Sequence, residues 1–309
     1  MTPNTSPPPE TPFWVPDDVV TLAVPAFIAL IIIEMVVVRL SKRGGYEAKD
    51  SAASLFMGFG STIAGVLTGG LYLFSALWVY QYRIFDIGWT WQALALCFLG
   101  EDLAYYWFHR VSHERRFWWA SHVVHHSSQH YNLSTALRQT WTGNLALSFA
   151  TKLPLFFIGF PPAMVFFFSG VSLVYQFWIH TETIGRMGPF EWVMNTPSHH
   201  RVHHATNPRY LDANYAGVLI VWDRLFGTFT PEVDHDKPRY GIVANLGTFN
   251  PLRIAIHEWA GIARDIRGAK TVGDVFGFVF GPPGWTPDGS RKTSKSLKAE
   301  WRASQRGAG

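Results

Sequence analysis

One cysteine, Cys97, is all that the 309 residues contain, so no intrachain disulfide can form. It lies in an apolar run and reads as a small buried hydrophobe. Charge is scarce as well: Asp, Glu, Lys and Arg make up 16% of the chain, against the usual quarter. A net charge of +4 gives no basic footprint, which argues against a nucleic-acid partner. Residues 1–18 hold no Lys or Arg, so the basic start of a secretory signal is missing and no cleavage is expected. No His-Glu-x-x-His string occurs, which leaves zinc-protease chemistry without support. No repeat of solenoid period is visible either.

What is abundant is apolar and aromatic. Val19 to Val38 is long enough to cross a bilayer core of roughly 30 Å, interrupted only by Glu34, which must pair or reach the interface. Arg39, Lys42 and Arg43 follow it, while Glu10, Asp17 and Asp18 precede it. The positive-inside rule then places the N-terminus outside and residues 39–50 in the cytoplasm. Ser51 to Tyr80 crosses outward, and Trp89 to Phe108 returns inward. Leu145 to Ile158 and Pro162 to Ile179 form an apolar pair joined at residues 159–162, each half short, which predicts a membrane hairpin. The fold class expected is therefore all-α: an integral membrane helical protein of about three spanning helices plus a hairpin, with a cytosolic helical cap.

Nine histidines dominate the remaining polar sequence. They read His109 and His113, then His122, His125 and His126, a lone His180, and finally His200, His203 and His204. Residues at i, i+3 and i+4 share a helix face, so each box is expected to present its imidazoles to one point. Starting from the charge rule alone, every one of these rings falls on the cytoplasmic side. Imidazole is the commonest transition-metal ligand. Nine rings exceed the capacity of one ion, so two ions are the economical reading. Adjacent His-His pairs do not suit axial haem ligation, and soluble di-iron bundles use Glu with Glu-x-x-His instead. A set of neutral nitrogen donors suits iron, zinc or copper.

Metal-bound imidazoles usually give their second N–H to a carboxylate or carbonyl. Asp102 lies two helical turns before His109, and a carboxylate in an apolar stretch must be paired, so it is the first candidate for that partner. Glu114 and Asp223 are the others, although Glu114 could equally be a surface charge beside Arg115 and Arg116. Gln176 shares a face with His180, and His199 lies off its box's face; both read as supporting or substrate-contacting residues. His130, His235 and His257 read as ordinary surface or core histidines.

At these boxes the chain resembles the fatty acid hydroxylase/sterol desaturase superfamily of membrane di-iron oxygenases, over roughly residues 95–232. The order of the boxes and the apolar hairpin between them match. The resemblance implies two Fe ions, held by the nine histidines named above, and Glu114 matches an acidic residue after the first box. The strings Gln176-Phe-Trp-Ile-His-Thr-Glu182 and Asn195-Thr-Pro-Ser-His-His-Arg-Val-His-His204 are similar to an ether-lipid-oxidising branch of that superfamily. That branch implies tetrahydrobiopterin as reductant, with a separate electron donor because no carrier domain fits in this chain.

The function expected is an O₂-dependent lipid monooxygenase that hydroxylates an unactivated C–H, of an ether lipid such as an alkylglycerol. A sterol or fatty acyl hydroxylase or desaturase is the alternative within the superfamily. A membrane metal-binding or transport protein is the alternative from another class; transport would demand polar residues along the spans, and apart from Glu34 they are missing. The organisation expected is a disordered N-terminus over 1–18, membrane helices over 19–94 and the catalytic domain over 95–232. An interfacial region over 233–290 and a basic disordered tail over 291–309 complete it.

Overall fold

The computed structural model describes residues 2–4, 6–41 and 45–307, so Lys42 and Arg43 of the charge-rule argument lie outside the described residues. Among the described residues there are helices and isolated bridges but no strand. Helix α1 (Val19–Ser41) and α2 (Ala48–Tyr80) are both long and apolar enough to cross a membrane. The 23 residues of α1 reach about 34 Å, enough for a bilayer core. Val66 and Leu67 on α2 are 82% and 78% exposed, and Leu22 on α1 is 71% exposed. Apolar faces of that extent are a liability in water and are satisfied by lipid. The chain is an integral-membrane helical protein.

Helix α3 (Trp91–Glu114) starts where the Thr90 hydroxyl accepts from Ala93 N, and it packs against α4 (Arg116–His126). Between them, α3 and α4 carry five of the nine histidines. The expected hairpin is α5 (Leu153–Ile158) and α6 (Pro162–Trp178), but its first half is shorter than Leu145 to Ile158, because residues 145–152 form turns and a 3₁₀ segment. Gly159 turns between them at φ 124°, where any Cβ would run into the Phe85 carbonyl oxygen. That contact fixes the hairpin's depth: Ile84 N and Phe85 N donate to the carbonyls of Phe157 and Ile158, so the tip reaches the turn between α2 and α3. From that turn α3 runs about 27 Å to His109. Tyr80, Cys97, Phe156 and Met164 form the buried core joining α2, α3 and the hairpin.

Two charged side chains inside this bundle are paired. Glu34 accepts from Tyr46 Oη, Thr181 Oγ1 and the Leu133 backbone N–H, tying α1 to the histidine-bearing end. Glu101 on α3 accepts from Lys152 Nζ at 2.7 Å. Glu34 is therefore not the only charge among the apolar helices, as the sequence reading had it; the second pair is formed by residues far apart in the chain.

Residues 181–250 contain only short helices, among them α7 (Pro197–His203) and α8 (Val221–Leu225). Helix α9 (Pro251–Arg267) lies against α4, and Arg116 clamps it with bonds of 2.6 Å to both Glu258 and Asp265. Helices α10 (Val272–Phe280) and α11 (Ser294–Gly307) complete the described chain. The two ends depart from the expectation of disorder. Arg83 Nη2 donates to the Ser6 carbonyl, and the Trp14 ring meets Trp89 edge-on at 6.0 Å. At the other end, α11 is closed by Lys292 with Glu300 and by the Arg209 guanidinium over the Trp301 ring. Composition alone missed both because Arg83, Trp89 and Arg209 come from distant segments.

Candidate metal centre

The nine box histidines converge, but not box by box. His109, His113, His122, His126 and His203 bring ring nitrogens within 4.8 Å of one another, and His125, His180, His200 and His204 form a second such group. The expectation that each box points to one place is corrected by helix geometry. Neighbouring residues on an α-helix are turned by about 100°, so adjacent His125 and His126 must face different directions. The same holds for His203 and His204. The groups are adjacent, with the rings of His126 and His204 stacked at 4.3 Å.

Backbone carbonyls orient the rings. His109 Nδ1 donates to Tyr215 O at 2.7 Å, His180 Nδ1 to Gln176 O at 2.7 Å, His203 Nδ1 to Ala213 O at 3.0 Å and His125 Nδ1 to Arg138 O at 3.3 Å. A neutral ring that donates from Nδ1 has only a lone pair on Nε2. Burial holds His125 neutral, with its pKa down at about 4, and pushes His180 well below the ordinary value. Yet their Nε2 atoms face each other at 3.1 Å, and His180 Nε2 lies 2.9 Å from His200 Nε2. Two lone pairs at that range repel unless a cation lies among them. Ligands at right angles, each about 2.1 Å from an ion, are about 3 Å apart, which is the spacing seen. In the first group, His109 and His126 Nε2 lie 3.0 and 3.1 Å from His122 Nε2. Nε2 of His113 and of His203 are buried with no partner, again as ligands would be. The donor set fits a metal in each group.

The carboxylates act one step further out than the sequence reading placed them. Asp102 accepts from the backbone N–H of Val218 and Leu219 and from Trp222 Nε1, at 2.9 to 3.0 Å. Asp223 accepts from Tyr215 N and Ala216 N, both at 2.8 Å, and from Thr228 Oγ1. Together they grip the segment 215–219, which presents the Tyr215 carbonyl to His109. Gly217 lets that segment approach, since a Cβ there would lie 2.8 Å from the Tyr105 ring. Glu114 does not join them: it pairs with Arg110 at 2.9 Å and is 40% exposed. Gln176 contributes its carbonyl to His180 and turns its side chain to Ser172. His199 stands apart from both groups, 3.9 Å from Glu191. His235 bonds Arg209, and His257 bonds the Ile254 carbonyl.

Two cavities meet the cluster. One, of about 400 Å³, reaches His122, His125 and His180 between apolar residues of α1 and α6, including Phe27, Leu173 and Phe177. Apart from the histidines it is lined by no ionisable side chain other than Tyr105. The other, of about 450 Å³, reaches His113, His126, His203 and His204 from the side of α9 and the residues near 241–244 and 283–297. Apart from the histidines and Gln176, which lines the first cavity, the linings carried no signal in the sequence.

Residues 94–228 match the fatty acid hydroxylase family model. The chain is 40% identical over 275 residues to alkylglycerol monooxygenase of Xenopus tropicalis, covering 87% of this chain and 60% of the relative. It is 40% identical over 280 residues to the Homo sapiens alkylglycerol monooxygenase, with the same shares. Ornithine lipid hydroxylase OlsE of Rhizobium tropici is 26% identical over 200 residues, which is 65% of this chain and 56% of that protein. The chain thus spans about 60% of the length of the alkylglycerol monooxygenases it matches. No solved structure matches. With both histidine groups inside the matched segment, the chain belongs to the fatty acid hydroxylase superfamily.

Proposed function

We propose that the chain is a membrane monooxygenase whose nine histidines hold two iron ions and which hydroxylates an unactivated C–H of a lipid, foremost an ether lipid of the alkylglycerol kind. One observation carries the reading: the paired histidine groups open on an apolar cavity flanked by membrane-length helices. Iron bound there would supply the reduction of O₂ and an oxidant able to take hydrogen from carbon. The chain's own residues do the rest. Phe27, Leu173 and Phe177 line a path for an alkyl chain to the rings of His122, His125 and His180. The same apolar walls keep water from the reacting carbon. The Nδ1–H of four rings is fixed on backbone carbonyls, so these ligands keep one tautomer throughout.

The balance is RH + O₂ + 2e⁻ + 2H⁺ → ROH + H₂O. Hydroxylation beside an ether oxygen gives a hemiacetal, which separates into an aldehyde and an alcohol. The two electrons come from a separate donor, and tetrahydrobiopterin is the reductant proposed. The proposed topology is multi-pass with the histidines on the cytoplasmic side. The described N-terminal segment packs at the turn between α2 and α3, the end of α3 opposite the histidines. The charge rule, which puts that segment outside, therefore puts the rings inside.

The test is turnover by iron-loaded protein in lipid nanodiscs with an alkylglycerol, O₂ and tetrahydrobiopterin. Equal amounts of fatty aldehyde and glycerol are expected. Rapid metal exchange with no oxygen uptake would instead favour a metal carrier. A second reading, hydroxylation of an acyl chain, is favoured by the similarity to an ornithine lipid hydroxylase; a hydroxyacyl product without aldehyde would select it.

A further inference from the structure

A third cavity, of about 410 Å³, lies between α1 and α6 on the side away from the histidines. It shares Val20 and Leu173 with the apolar cavity that reaches His122, His125 and His180, so the two abut at these side chains. From there it follows α6 past Gly170, Phe167 and Phe166 to Ala163. The two helices touch at this level because Gly170 has no Cβ: one there would lie 2.9 Å from Val19 Cβ.

Length and lining define what fits. Phe177, beside the rings, and Ala163 are about 21 Å apart along α6. One leaflet of a bilayer core of roughly 30 Å is about 15 Å deep. The two cavities in series therefore accept the whole tail of a membrane lipid. Along α6 the third cavity meets no polar side chain; polar groups enter only at its far end, from Thr11, Asp17 and Asp18. Both carboxylates are exposed, and Asp18 is engaged at the start of α1, where it accepts from Val20 N and Thr21 N. A methyl end pushed against them would strip their water, which bounds the apolar length. The wall at that end comes from Val15 and Pro16 of the N-terminal segment. That segment is held on the bundle by the bond from Arg83 to the Ser6 carbonyl and by Trp14, edge-on to Trp89 at 6.0 Å and to Phe167 at 6.2 Å.

We propose that the third cavity is the tail-end subsite of the lipid substrate. The distal part of one alkyl chain passes the neck at Val20 and Leu173 and lies between α1 and α6, with the N-terminal segment closing the far end. The inference rests on the lipid oxygenase reading above and adds to it what sets the chain length.

The placement is tested by anaerobic photolysis of the iron-loaded full chain in nanodiscs with an octadecylglycerol that carries a diazirine on its terminal carbon. Adducts are expected within residues 11–20 and 163–170, and excess octadecylglycerol should remove them. Adducts confined to the lipid-facing surface around Val66 and Leu67 of α2, or adducts that are not displaced, would overturn the proposal. Val20→Trp and Leu173→Trp fill the neck, and overpacking of this kind should cost a passing tail at least about tenfold. The ratio of kcat/KM for octadecylglycerol to that for octylglycerol, which is too short to pass the neck, should fall by that factor in each variant that keeps its iron. Val66→Trp, at a position 82% exposed on α2, should leave the ratio as in wild type. A ratio unchanged in both neck variants would also sink the assignment, and wild-type labelling decides the placement if neither variant folds. Displaceable labelling in the third cavity without oxidation of any alkylglycerol would remove the oxygenase reading and leave the tail site; oxidation with labelling elsewhere does the reverse.

Discussion

The histidine cluster is built by two unlike halves of the chain. On one side, α3 and α4 deliver five rings by regular helix geometry, each helix carrying its own ladder of backbone hydrogen bonds, and His180 follows two residues after the end of α6. On the other, residues 181–250 deliver His200, His203 and His204 from α7, which is only seven residues long. A helix that short does not hold itself in water. Buried side chains hold it instead. Asn214 Nδ2 donates to the carbonyls of His199 and Thr230, and its Oδ1 accepts from Thr230 N. Asn195, Asn207, Asp102 and Asp223 do the same for neighbouring loops. The difference predicts where the site is brittle. A helix spreads its hydrogen bonds over many interchangeable residues, whereas a loop held by one asparagine loses them all at once.

The sharpest way to break the comparison is at the ligands, where both halves should count equally. His125→Ala from the helical half and His200→Ala from the irregular half each remove one ring of the same group. Both should lose bound iron and reduce lipid oxidation below about 1% of wild type, on the scale expected for losing a ligand outright. Membrane insertion should persist in both, as read by carbonate extraction and by metal analysis of the purified protein. A variant that kept its iron would remove that ring from the assigned set.

Substitutions one step out should separate the halves. Asn214→Ala leaves the buried His199 carbonyl and the half-buried Thr230 carbonyl and N–H without this partner, at up to about 1–3 kcal/mol for each unsatisfied group. Asp223→Asn turns an acceptor of two backbone N–H groups into a mixed donor. Both should lower iron affinity about 10- to 100-fold and lower the midpoint of thermal unfolding in detergent. The comparable loss on the helical side, Thr90→Ala at the α3 N-cap, should cost only about 1 kcal/mol and leave iron affinity unchanged. Equal damage from Thr90→Ala and Asn214→Ala would erase the distinction.

This contrast also explains what the sequence could show. Helical spacing, apolar length and the boxes made the helices, the hairpin and the nine rings legible, because each rests on side-chain identity at a fixed period. Three things were not legible. The ring N–H acceptors are carbonyls of Arg138, Gln176, Ala213 and Tyr215, and a carbonyl leaves no trace in residue type. The partition of His125 from His126 needs the neighbouring helices to show which direction leads to which group. Asp102 was singled out as a buried carboxylate near the boxes, yet its partners, Val218, Leu219 and Trp222, lie more than a hundred residues away. The irregular half was the less legible because its order comes from such pairings.

Acid should act on the whole cluster. Burial pushes the pKa of His126, His180, His200, His203 and His204 well below the ordinary value, and that of His125 down to about 4. An unfolded chain takes up protons on these rings near about pH 6.5, where the native protein does not. The stability contributed by keeping them neutral is therefore complete above that pH and is lost as pH falls from about 6.5 toward the folded values. Each ring contributes up to about 1.4 kcal/mol per pH unit. Chelator-treated protein should melt at lower temperature at pH 5.5 than at 7.5. Iron-loaded protein should release metal over the same interval, since protons compete for the same nitrogens. A melting temperature that is flat between these pH values would mean that the native rings take up protons over the same range as the unfolded chain.

The smallest effect expected is at Glu114, and it tests whether nearness in sequence to a box means participation. Glu114 follows His113 directly, yet its carboxylate turns to Arg110 at 2.9 Å on a partly exposed helix face. An exposed i, i+4 pair of this kind is worth a few tenths of a kcal/mol. Glu114→Gln should therefore shift stability by less than about 0.5 kcal/mol and leave iron content and turnover as they are, whereas Asp223→Asn, more than a hundred residues from the same box, lowers both. The helix decides this rather than the spacing: one residue along from His113 is about 100° around the axis, away from the rings. Iron loss in Glu114→Gln equal to that in Asp223→Asn would show that the carboxylate turns toward the cluster when metal binds.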